Sequence, residues 1–341
     1  MNMGRYVVMR IALGFLVFMG ALTLTFLVSH VVPSNPVYAW AGRDARTFNP
    51  LFLKNLAIKY HLNEPLWTQY WLYLVDFFQG NLGTSPVTRH EVLYDLSVLF
   101  PATLELTTVS LIITIAIGIP FGIIAAIKKD SVIDHILRTY SLTGSAMPIF
   151  WFGVMLQIVF SVYVGWFPLG YRSEVTWSRI TGFLFIDTLL TGNVPAFFDG
   201  FRHILLPAFV LSFSNTGLIV RMTRASMLEV LNQDYIQTAK SKGLPFRTII
   251  LKHAFKNASI VPITALAWDF ATLLQGAVIT ETIFSWPGLG AYASAAVVQL
   301  DFPAIMGFTI LASICVIVIN LVTDVGILWV DPRIKGAEKQ E

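Results

Sequence analysis

A few polar side chains interrupt long apolar stretches, and these are the residues that could do chemistry in this chain. Asp269 lies in the middle of the apolar run 260–283, with Gln275 close to two turns further on, and Asn215 and Gln157 lie in two other apolar runs. A carboxyl or amide group in hydrocarbon is costly, so it must face a polar partner or a water-filled path. Two interpretations of Asp269 are open: it lines a translocation path, or it pairs with a neighbouring helix.

Two glutamates and one turn lie near the ends of apolar runs. For Glu105 and Glu281 we favour interfacial hydration or structural hydrogen bonding over contact with a transported molecule. Between the last two apolar runs is the sequence SWPGLG, which contains Trp286, Pro287, Gly288 and Gly290. Proline with closely spaced glycines suits a short re-entrant or capping turn that packs against helices. We predict a structural role, in an outer gate; the alternative is an ordinary loop.

The motifs of common catalytic sites are missing from the sequence. It contains no GxxxxGK[ST] phosphate-binding loop, no GxSxG nucleophile turn and no HExxH zinc pair, since Val, Leu and Tyr follow His90 and Glu91. We therefore expect that this chain does not hydrolyse ATP and binds no metal or other cofactor. An enzyme acting inside the membrane is poorly supported.

The composition is that of an integral membrane protein. Of the 341 residues, 55% are hydrophobic and 13% are charged, whereas about 25% are charged in soluble domains. The mean hydropathy is +0.68. A helix needs about 20 apolar residues to cross a bilayer. Six runs are long enough, which predicts an all-α polytopic protein with six transmembrane helices: 11–32, 101–127, 136–166, 203–219, 260–283 and 304–329.

Charge asymmetry predicts how these six spans are oriented. Fifteen of the 23 Lys and Arg residues fall on the side that carries both termini. The positive-inside rule therefore places both termini in the cytoplasm. The first run is followed by Pro33 and Pro36 instead of a small-residue cleavage site, so we expect an uncleaved first span in a multi-pass protein of the cell membrane.

The chain is predicted to divide into four parts. Residues 1–32 hold the N-terminus and first span, 33–100 form an extracytoplasmic cap, 101–335 form a core of five spans, and 336–341 are a tail. Within the cap, 51–60 and 67–78 have helical patterns. A second outside segment, 167–202, is rich in glycine, proline and aromatic residues, and with the cap it could face an extracellular ligand carrier.

The longest polar interlude, 221–262, lies on the cytoplasmic side and is predicted to be a helix, a sharp turn and a second helix. Gly243 suits the left-handed residue after a helix end, and Pro245 suits the start of the next helix. The first helix is predicted to carry one apolar stripe of Leu228, Leu231, Tyr235 and Ala239. Its alternative role is that of a basic loop lying on anionic lipid.

The sequence of this interlude resembles a known family. DYIQTAKSKGL, followed by HAFKNAS, is similar to the cytoplasmic signature of permease subunits of ATP-binding-cassette (ABC) importers, in the oligopeptide and dipeptide branch. Further similar blocks are LFPATLEL, MPIFWFG, RMTRASMLEVL, ETIFSWPGLG and NLVTDVGILWVDPRIK, in that order along the chain. Gln237, Thr238 and Ala239 stand where the general signature has Glu-Ala-Ala, and Asn81 replaces an aspartate of a GDLG motif.

The resemblance implies a type I ABC importer permease fold, and it implies that the loop carries a coupling helix that fits a groove on an ATPase subunit. Thr238 to Gly243 would form the centre of this contact. The residues that the resemblance assigns to the coupling loop are Tyr235, Gln237, Thr238, Ala239, Lys240, Ser241, Lys242, Gly243 and Leu244.

The resemblance also implies a set of partners. These are a second homologous permease, two ATPase subunits that hold ATP and Mg²⁺, an extracytoplasmic solute-binding protein and the lipid bilayer, with no nucleic acid. Di- and oligopeptides are the first choice of substrate, and oligosaccharides or nickel are alternatives. Two other function classes stay open: an ion-coupled secondary transporter using Asp269, and a scaffold that transports nothing.

Overall fold

Helices make up the regular structure of the protein. The computed structural model describes residues 3–31, 36–41, 49–274 and 277–330. The first half of the described chain contains α1 Met3–His30, α2 Pro36–Ala41, α3 Pro50–Lys59, α4 Leu66–Phe78, α5 Val92–Ile127, α6 Val132–Ala146 and α7 Ile149–Gln157, which continues as the π-helical segment Ile158–Tyr163.

The second half of the chain is also helical. It contains α8 Leu184–Leu190, α9 Val194–Leu231, α10 Asp234–Ser241, α11 Phe246–Thr248, a π-helical segment Ile249–Phe255, α12 Lys256–Ala258, α13 Ile260–Leu274, α14 Val278–Ile283, α15 Leu289–Gln299 and α16 Phe302–Val330. Among the described residues the only β-pairing is an isolated bridge between Thr84 and Glu91.

Within the described ranges, four helices are long and apolar enough to cross a membrane unbroken. They contain Val8–His30, Val92–Ile127, Val194–Leu231 and Phe302–Thr323. Two further candidates are bent pairs: Val132–Ala146 with Ile149–Tyr163, bent by 102°, and Phe246–Ala258 with Ile260–Leu274, bent by 53°. If each bent pair crosses once, the total is six, in agreement with the predicted number.

The predicted third span is bent in the structure because of a proline. Pro148 has no N–H to donate into a helix, and the residue before a proline avoids the α conformation. Met147 accordingly adopts an extended ψ of 126°, which ends α6 before α7 begins. The predicted fifth span, 260–283, also differs from the structure, because Ala277 is not helical and a separate helix begins at Val278.

The centre of the molecule is the pair α5 and α9, which pack against each other along much of their length. Their backbones approach closely at Gly122, where an added Cβ would overlap the side chain of Thr223. Small residues at such a crossing allow the extensive van der Waals contact that holds helices together in lipid. α6 and α13 pack on the same α9, so this helix connects both bent pairs.

The predicted cap is helical at the outer end of α1 and α16. The two helices predicted from the sequence are confirmed as α3 and α4. Trp40, Ala57 and Leu62 of the cap form one buried cluster with Met306 of α16. The cap therefore rests directly on the last membrane-crossing helix. Its predicted end at residue 100 does not coincide with a helix boundary, because α5 already begins at Val92.

Candidate functional site

The predicted coupling loop contains a short separate helix, α10. We predicted one continuous helix up to Gly243, and this is wrong, because α9 ends at Leu231 and α10 begins only at Asp234. Asn232 donates a side-chain hydrogen bond to the Leu228 carbonyl (2.9 Å), and Gln233 is extended, with a ψ of 148°. Asn competes for backbone partners in this way and so favours helix ends over helix interiors.

The break changes which side of α10 is buried. Ile236 is fully buried and Ala239 nearly so, in a cluster with Met227, Ile249, Ile250 and Ala254. Tyr235, which we predicted in the apolar stripe, is instead 43% exposed, and its hydroxyl accepts a hydrogen bond from Asn257. α10 is thus a separate amphipathic unit, seated on the end of α9 and on the π-helical segment after Pro245.

Gly243 ends this unit in the conformation that its residue type predicts. Its φ is +70°, in the left-handed region, and its N–H donates to the Lys240 carbonyl at 2.9 Å. A Cβ at this position would meet nothing within 4 Å. The requirement for glycine therefore comes from the backbone dihedral alone, and not from crowding.

The remaining predicted coupling residues form the outer surface of this loop. Gln237, Thr238, Lys240, Ser241, Lys242 and Gly243 are exposed, as are the apolar side chains of Leu244 and, next to the predicted set, Phe246 and Leu251. Exposed apolar side chains among basic residues are typical of a surface that another molecule covers. Ala239 is the predicted coupling residue that faces inward.

The base of the loop is held by an ion pair that the sequence analysis missed. Arg224 on α9 donates from Nε and from a terminal nitrogen to the two carboxylate oxygens of Asp134 on α6, both at 2.7 Å. Asp134 is fully buried, and a bidentate pair of this kind fixes both distance and orientation. Both residues flank predicted spans on the cytoplasmic side, which is the signal that could have suggested the pairing.

The polar residues inside the spans have different surroundings. Gln157 donates to the carbonyls of Leu169 and Ile283, and Asn215 donates weakly to the Leu211 carbonyl (3.4 Å). Asp269 has a buried carboxylate oxygen without a partner among the described residues. Gln275 lies outside the described residues.

The polar span residues are not joined to one another by any hydrogen bond or ion pair that the described part of the chain shows. Among the described members of the set, Asp269 is the one with a buried, unused acceptor, which can receive a hydrogen bond from a donor elsewhere. A role for the set on a translocation path stays a prediction.

The SWPGLG turn is packed into the outer end of the helices. Trp286 is buried, and its Nε1 donates to the Ala102 carbonyl of α5 at 2.9 Å. Glu281 accepts from the Thr103 hydroxyl (2.8 Å) and from the backbone N–H of Ala291 (2.9 Å). A Cβ on Gly288 would overlap the Glu281 carboxylate. The structural interpretation of Glu281 is confirmed, while the role of Trp286, Pro287, Gly288 and Gly290 in an outer gate stays a prediction.

A second buried ion pair ties the long outer loop to α5. Arg172 donates through a terminal nitrogen to Glu105 at 2.5 Å, and Phe185 N–H donates to the other carboxylate oxygen at 3.1 Å. Both charged side chains are more than nine-tenths buried. For Glu105 we predicted interfacial hydration or structural hydrogen bonding, and Arg172 was not predicted as its partner. Their opposite charges at the same side of the membrane were the available signal.

Comparison with known proteins shows which family of membrane proteins the chain resembles. Residues 118–336 match the family model described as binding-protein-dependent transport system inner membrane component. The chain is 41% identical over 323 residues to the probable D,D-dipeptide transport system permease protein DdpB of Escherichia coli (strain K12), covering 94% of each. It is 40% identical to the di/tripeptide transport system permease protein DppB of Pseudomonas aeruginosa (strain UCBPP-PA14), covering 97% of this chain and 98% of that one.

One solved structure is similar in fold. A chain of the MetNI methionine ABC transporter, in inward-facing conformations, superposes with a TM-score of 0.53. The match covers 70% of this chain and 97% of that chain, at 17% sequence identity. At this identity the comparison supports the type I importer permease fold.

Proposed function

The chain belongs to the family of binding-protein-dependent transport system inner membrane components, and from this premise we propose how it works as an importer permease. It is a multi-pass subunit of the inner membrane. ATP and Mg²⁺ are bound by separate ATPase subunits, which hydrolyse the ATP. This chain contributes part of the translocation path and the contact through which an ATPase subunit moves it. The sequence supports this division, since it has no phosphate-binding loop of its own.

One observation carries the proposal for the coupling contact. α10 is an amphipathic helix whose apolar face is packed against the ends of membrane-crossing helices and whose polar face is exposed. A force on its exposed face would reach α9 through Met227 and the bent pair through Ile249 and Ile250. We propose that the coupling residues assigned from the sequence, all but the buried Ala239, form with Phe246 beside them the surface that an ATPase subunit covers.

The translocation path, in this proposal, lies between this chain and a second permease. Six spans that pack α5 closely on α9 leave little internal room for a bulky polar solute, so a partner is needed to enclose one. Asp269 is the proposed path residue of this chain, because its carboxylate has an unused oxygen. An extracytoplasmic binding protein delivers the solute to the outer face, where the cap and the segment 167–202 lie.

Peptides are the proposed substrates. Relatives that match nearly the whole chain are named for D,D-dipeptide, di/tripeptide and dipeptide transport. Oligosaccharide or nickel import by the same machinery has no such support among these names. An ion-coupled carrier that uses Asp269 has no support from the family.

A pair of substitutions at Gly243 tests the coupling proposal. Valine is strongly disfavoured at a φ of +70°, whereas asparagine adopts the left-handed region several-fold more readily than most residues. Gly243→Val is expected to lower ATP-driven peptide uptake by at least tenfold in reconstituted vesicles, with the protein still inserted. Gly243→Asn is the matched control and should keep most of the uptake.

The same preparation tests the partners. The tagged chain is purified in mild detergent, and the accompanying proteins and ATP hydrolysis are recorded. We expect an ATPase and a second permease to accompany the unmodified chain and the Asn variant, and the ATPase to be depleted with the Val variant. Equal uptake by both variants would show that α10 is not the coupling element, and transport by the chain alone under an ion gradient would favour the secondary carrier.

A further inference from the structure

The cap contains a pocket that the transport cycle described above does not use. One wall is a single face of α3, formed by Phe52, Asn55, Leu56 and Lys59. The opposite wall is the segment from Thr84 to Arg89, and Trp40 of α2 with Tyr60 closes the pocket between them. Its volume is about 480 Å³, which is within the range of small-molecule sites.

The lining of this pocket combines aromatic rings with positive charge. Trp40, Phe52 and Tyr60 supply the apolar surface, and Lys59 and Arg89 supply two cations. None of the described residues that line it is acidic, and in the described part of the chain neither cation lies within ion-pair distance of a carboxylate. Lys59 Nζ lies 5.1 Å from the centre of the Tyr60 ring. Such a lining favours a ligand that joins an anion to an apolar group.

The wall that carries Arg89 is built before any ligand arrives. Ser85 N–H donates to the His90 carbonyl (2.9 Å), Arg89 N–H donates to the Ser85 carbonyl (3.0 Å), and Thr84 N–H donates to the Tyr60 hydroxyl (3.3 Å). The Ser85 hydroxyl also donates to Asp301, the buried residue just before α16. A wall held in this way fixes the backbone from which the Arg89 side chain extends, so ligand binding does not have to order that backbone.

Arg89 occupies a conformation that its side chain disfavours. Its φ is +62°, in the left-handed region where glycine or asparagine is the usual residue. A protein with glycine at this position would therefore be expected to fold with at least the same stability. The presence of a long cation there, against the backbone preference, points to a use for its guanidinium group.

We propose that this cap pocket binds a carboxylate attached to an apolar group, the chemistry of a peptide C-terminus beside a large side chain. Arg89 and Lys59 hold the carboxylate, and Trp40, Phe52 and Tyr60 surround the apolar group. The proposal rests on the proposed function in its choice of a peptide as the source of this chemistry. The carboxylate can come from a free peptide or from a segment of the binding protein, and both present the same groups to the pocket.

The direct test measures binding of two small probes to the complete assembly in nanodiscs by calorimetry. N-acetyl-L-phenylalanine carries a free carboxylate, and N-acetyl-L-phenylalanine amide has the same shape without the charge. We expect the acid to bind and the amide to bind at least tenfold more weakly. Equal binding of the two probes, or no binding of the acid, would overturn the proposal.

Three variants locate the binding. Arg89→Asn keeps a residue that tolerates the left-handed backbone and removes the cation, so it should weaken acid binding about ten- to a hundredfold. Arg89→Gly should weaken it equally while the thermal midpoint stays the same or rises, which excludes misfolding as the cause. Lys54→Gln, on α3 but outside the pocket, is the matched control and should bind like the unmodified assembly. If Lys54→Gln and Arg89→Asn behave alike, the pocket is not the site.

The same variants distinguish the two sources of the carboxylate. If Arg89→Asn loses the probe but keeps its affinity for the purified binding protein, the natural ligand is a free peptide. If it loses both, the ligand is a carboxylate on the binding protein. Co-purification of the ATPase is recorded in every case, because an assembly that forms without pocket binding refutes this proposal alone, and a chain without ATPase refutes the proposed function.

Discussion

The outer end of the molecule and the helix α10 at the cytoplasmic end are held in place by different forces. At the outer end, buried charged groups are paired or hydrogen-bonded: Arg172 with Glu105, Glu281 with Thr103, and Ser85 with Asp301. At the cytoplasmic end, α10 is held mainly by the apolar cluster around Ile236, with Tyr235 and Asn257 joined at the surface. Polar bonds inside a low-dielectric interior demand one geometry, whereas apolar contacts tolerate small displacements.

This difference agrees with the proposed roles of the two ends. An outer end that receives a ligand or a carrier gains from a rigid, preformed surface. A loop that passes on motion must shift against its own spans without losing a buried ion pair. The Arg224–Asp134 pair lies at the base of this loop, outside α10 itself, and ties α9 to α6.

Removing one partner of the outer ion pair should have the largest effect. Arg172→Ala leaves the Glu105 carboxylate buried without its cation, and losing one partner of a buried pair costs about 3–5 kcal/mol. We expect a clearly lower thermal midpoint for the protein in a fixed detergent.

The matched control for this pair is the double variant Glu105→Gln with Arg172→Met, which removes both charges at similar volume. It should recover most of the lost stability. If Arg172→Ala unfolds at the same temperature as the unmodified protein, the outer end is not held by this pair and the contrast between the two ends fails.

Truncating the centre of the inner cluster should have a smaller and local effect. Ile236→Ala removes a fully buried side chain at a cost of about 3 kcal/mol. Because α10 is attached mainly through this cluster, its backbone amides should exchange hydrogen faster, with little change in α5. Gln237→Ala, at the exposed neighbouring position, is the control for hydrogen-exchange mass spectrometry. Equally faster exchange in α5 would mean that the loop and the core unfold together.

Of the three changes, acidification should have the smallest effect, a modest loss of the stability that Asp187 gives to the outer loop. Burial of Asp187 opposes its ionisation, but hydrogen bonds from the Thr181 side chain and from the N–H groups of Thr181, Ile180 and Gly182 outweigh this and hold its pKa below the ordinary value of 3.8. A carboxyl whose pKa is lowered by folding contributes stability above its unfolded pKa and loses that contribution as the pH falls through the folded value.

Asp187→Asn tests this dependence. The substitution should lower the free energy of unfolding by about 1–2 kcal/mol at neutral pH, because an amide is a weaker hydrogen-bond acceptor than a carboxylate. The difference in thermal midpoint between variant and unmodified protein should shrink as the pH is lowered below about 4. A difference that stays constant down to pH 2 would show that the charge of Asp187 does not hold the loop 180–182.

The sequence predicted much of this arrangement because local patterns carry it. A count of up to six spans, the cap helices α3 and α4, the left-handed Gly243 and the new helix after Pro245 all follow from hydropathy, periodicity and residue type. The break before α10 did not follow, because Leu228, Leu231, Tyr235 and Ala239 also fit one continuous helix. The competing hydrogen bond of Asn232 was the signal that the pattern hid.

Pairings between distant residues could not be assigned from the sequence, which showed only that opposite charges lay at the same side of the membrane. Arg172 and Glu105 are 67 positions apart, Arg224 and Asp134 are 90 apart, and Ser85 and Asp301 are 216 apart. Nothing local distinguishes these charged groups from solvated ones. Gln157 looked like a candidate path residue because its surroundings are apolar, yet its amide nitrogen bonds two backbone carbonyls of other segments.

The sequence by itself determined that this protein lies in a membrane, how often its chain can cross and which loop resembles a coupling element, because hydrophobicity and local propensity act over a few turns of helix. Only the tertiary structure decided which side of α10 is buried, which charges are paired and that Arg89 and Lys59 share a pocket with three aromatic rings. These features depend on contacts between segments far apart in the chain, and such contacts exist only once the helices have packed.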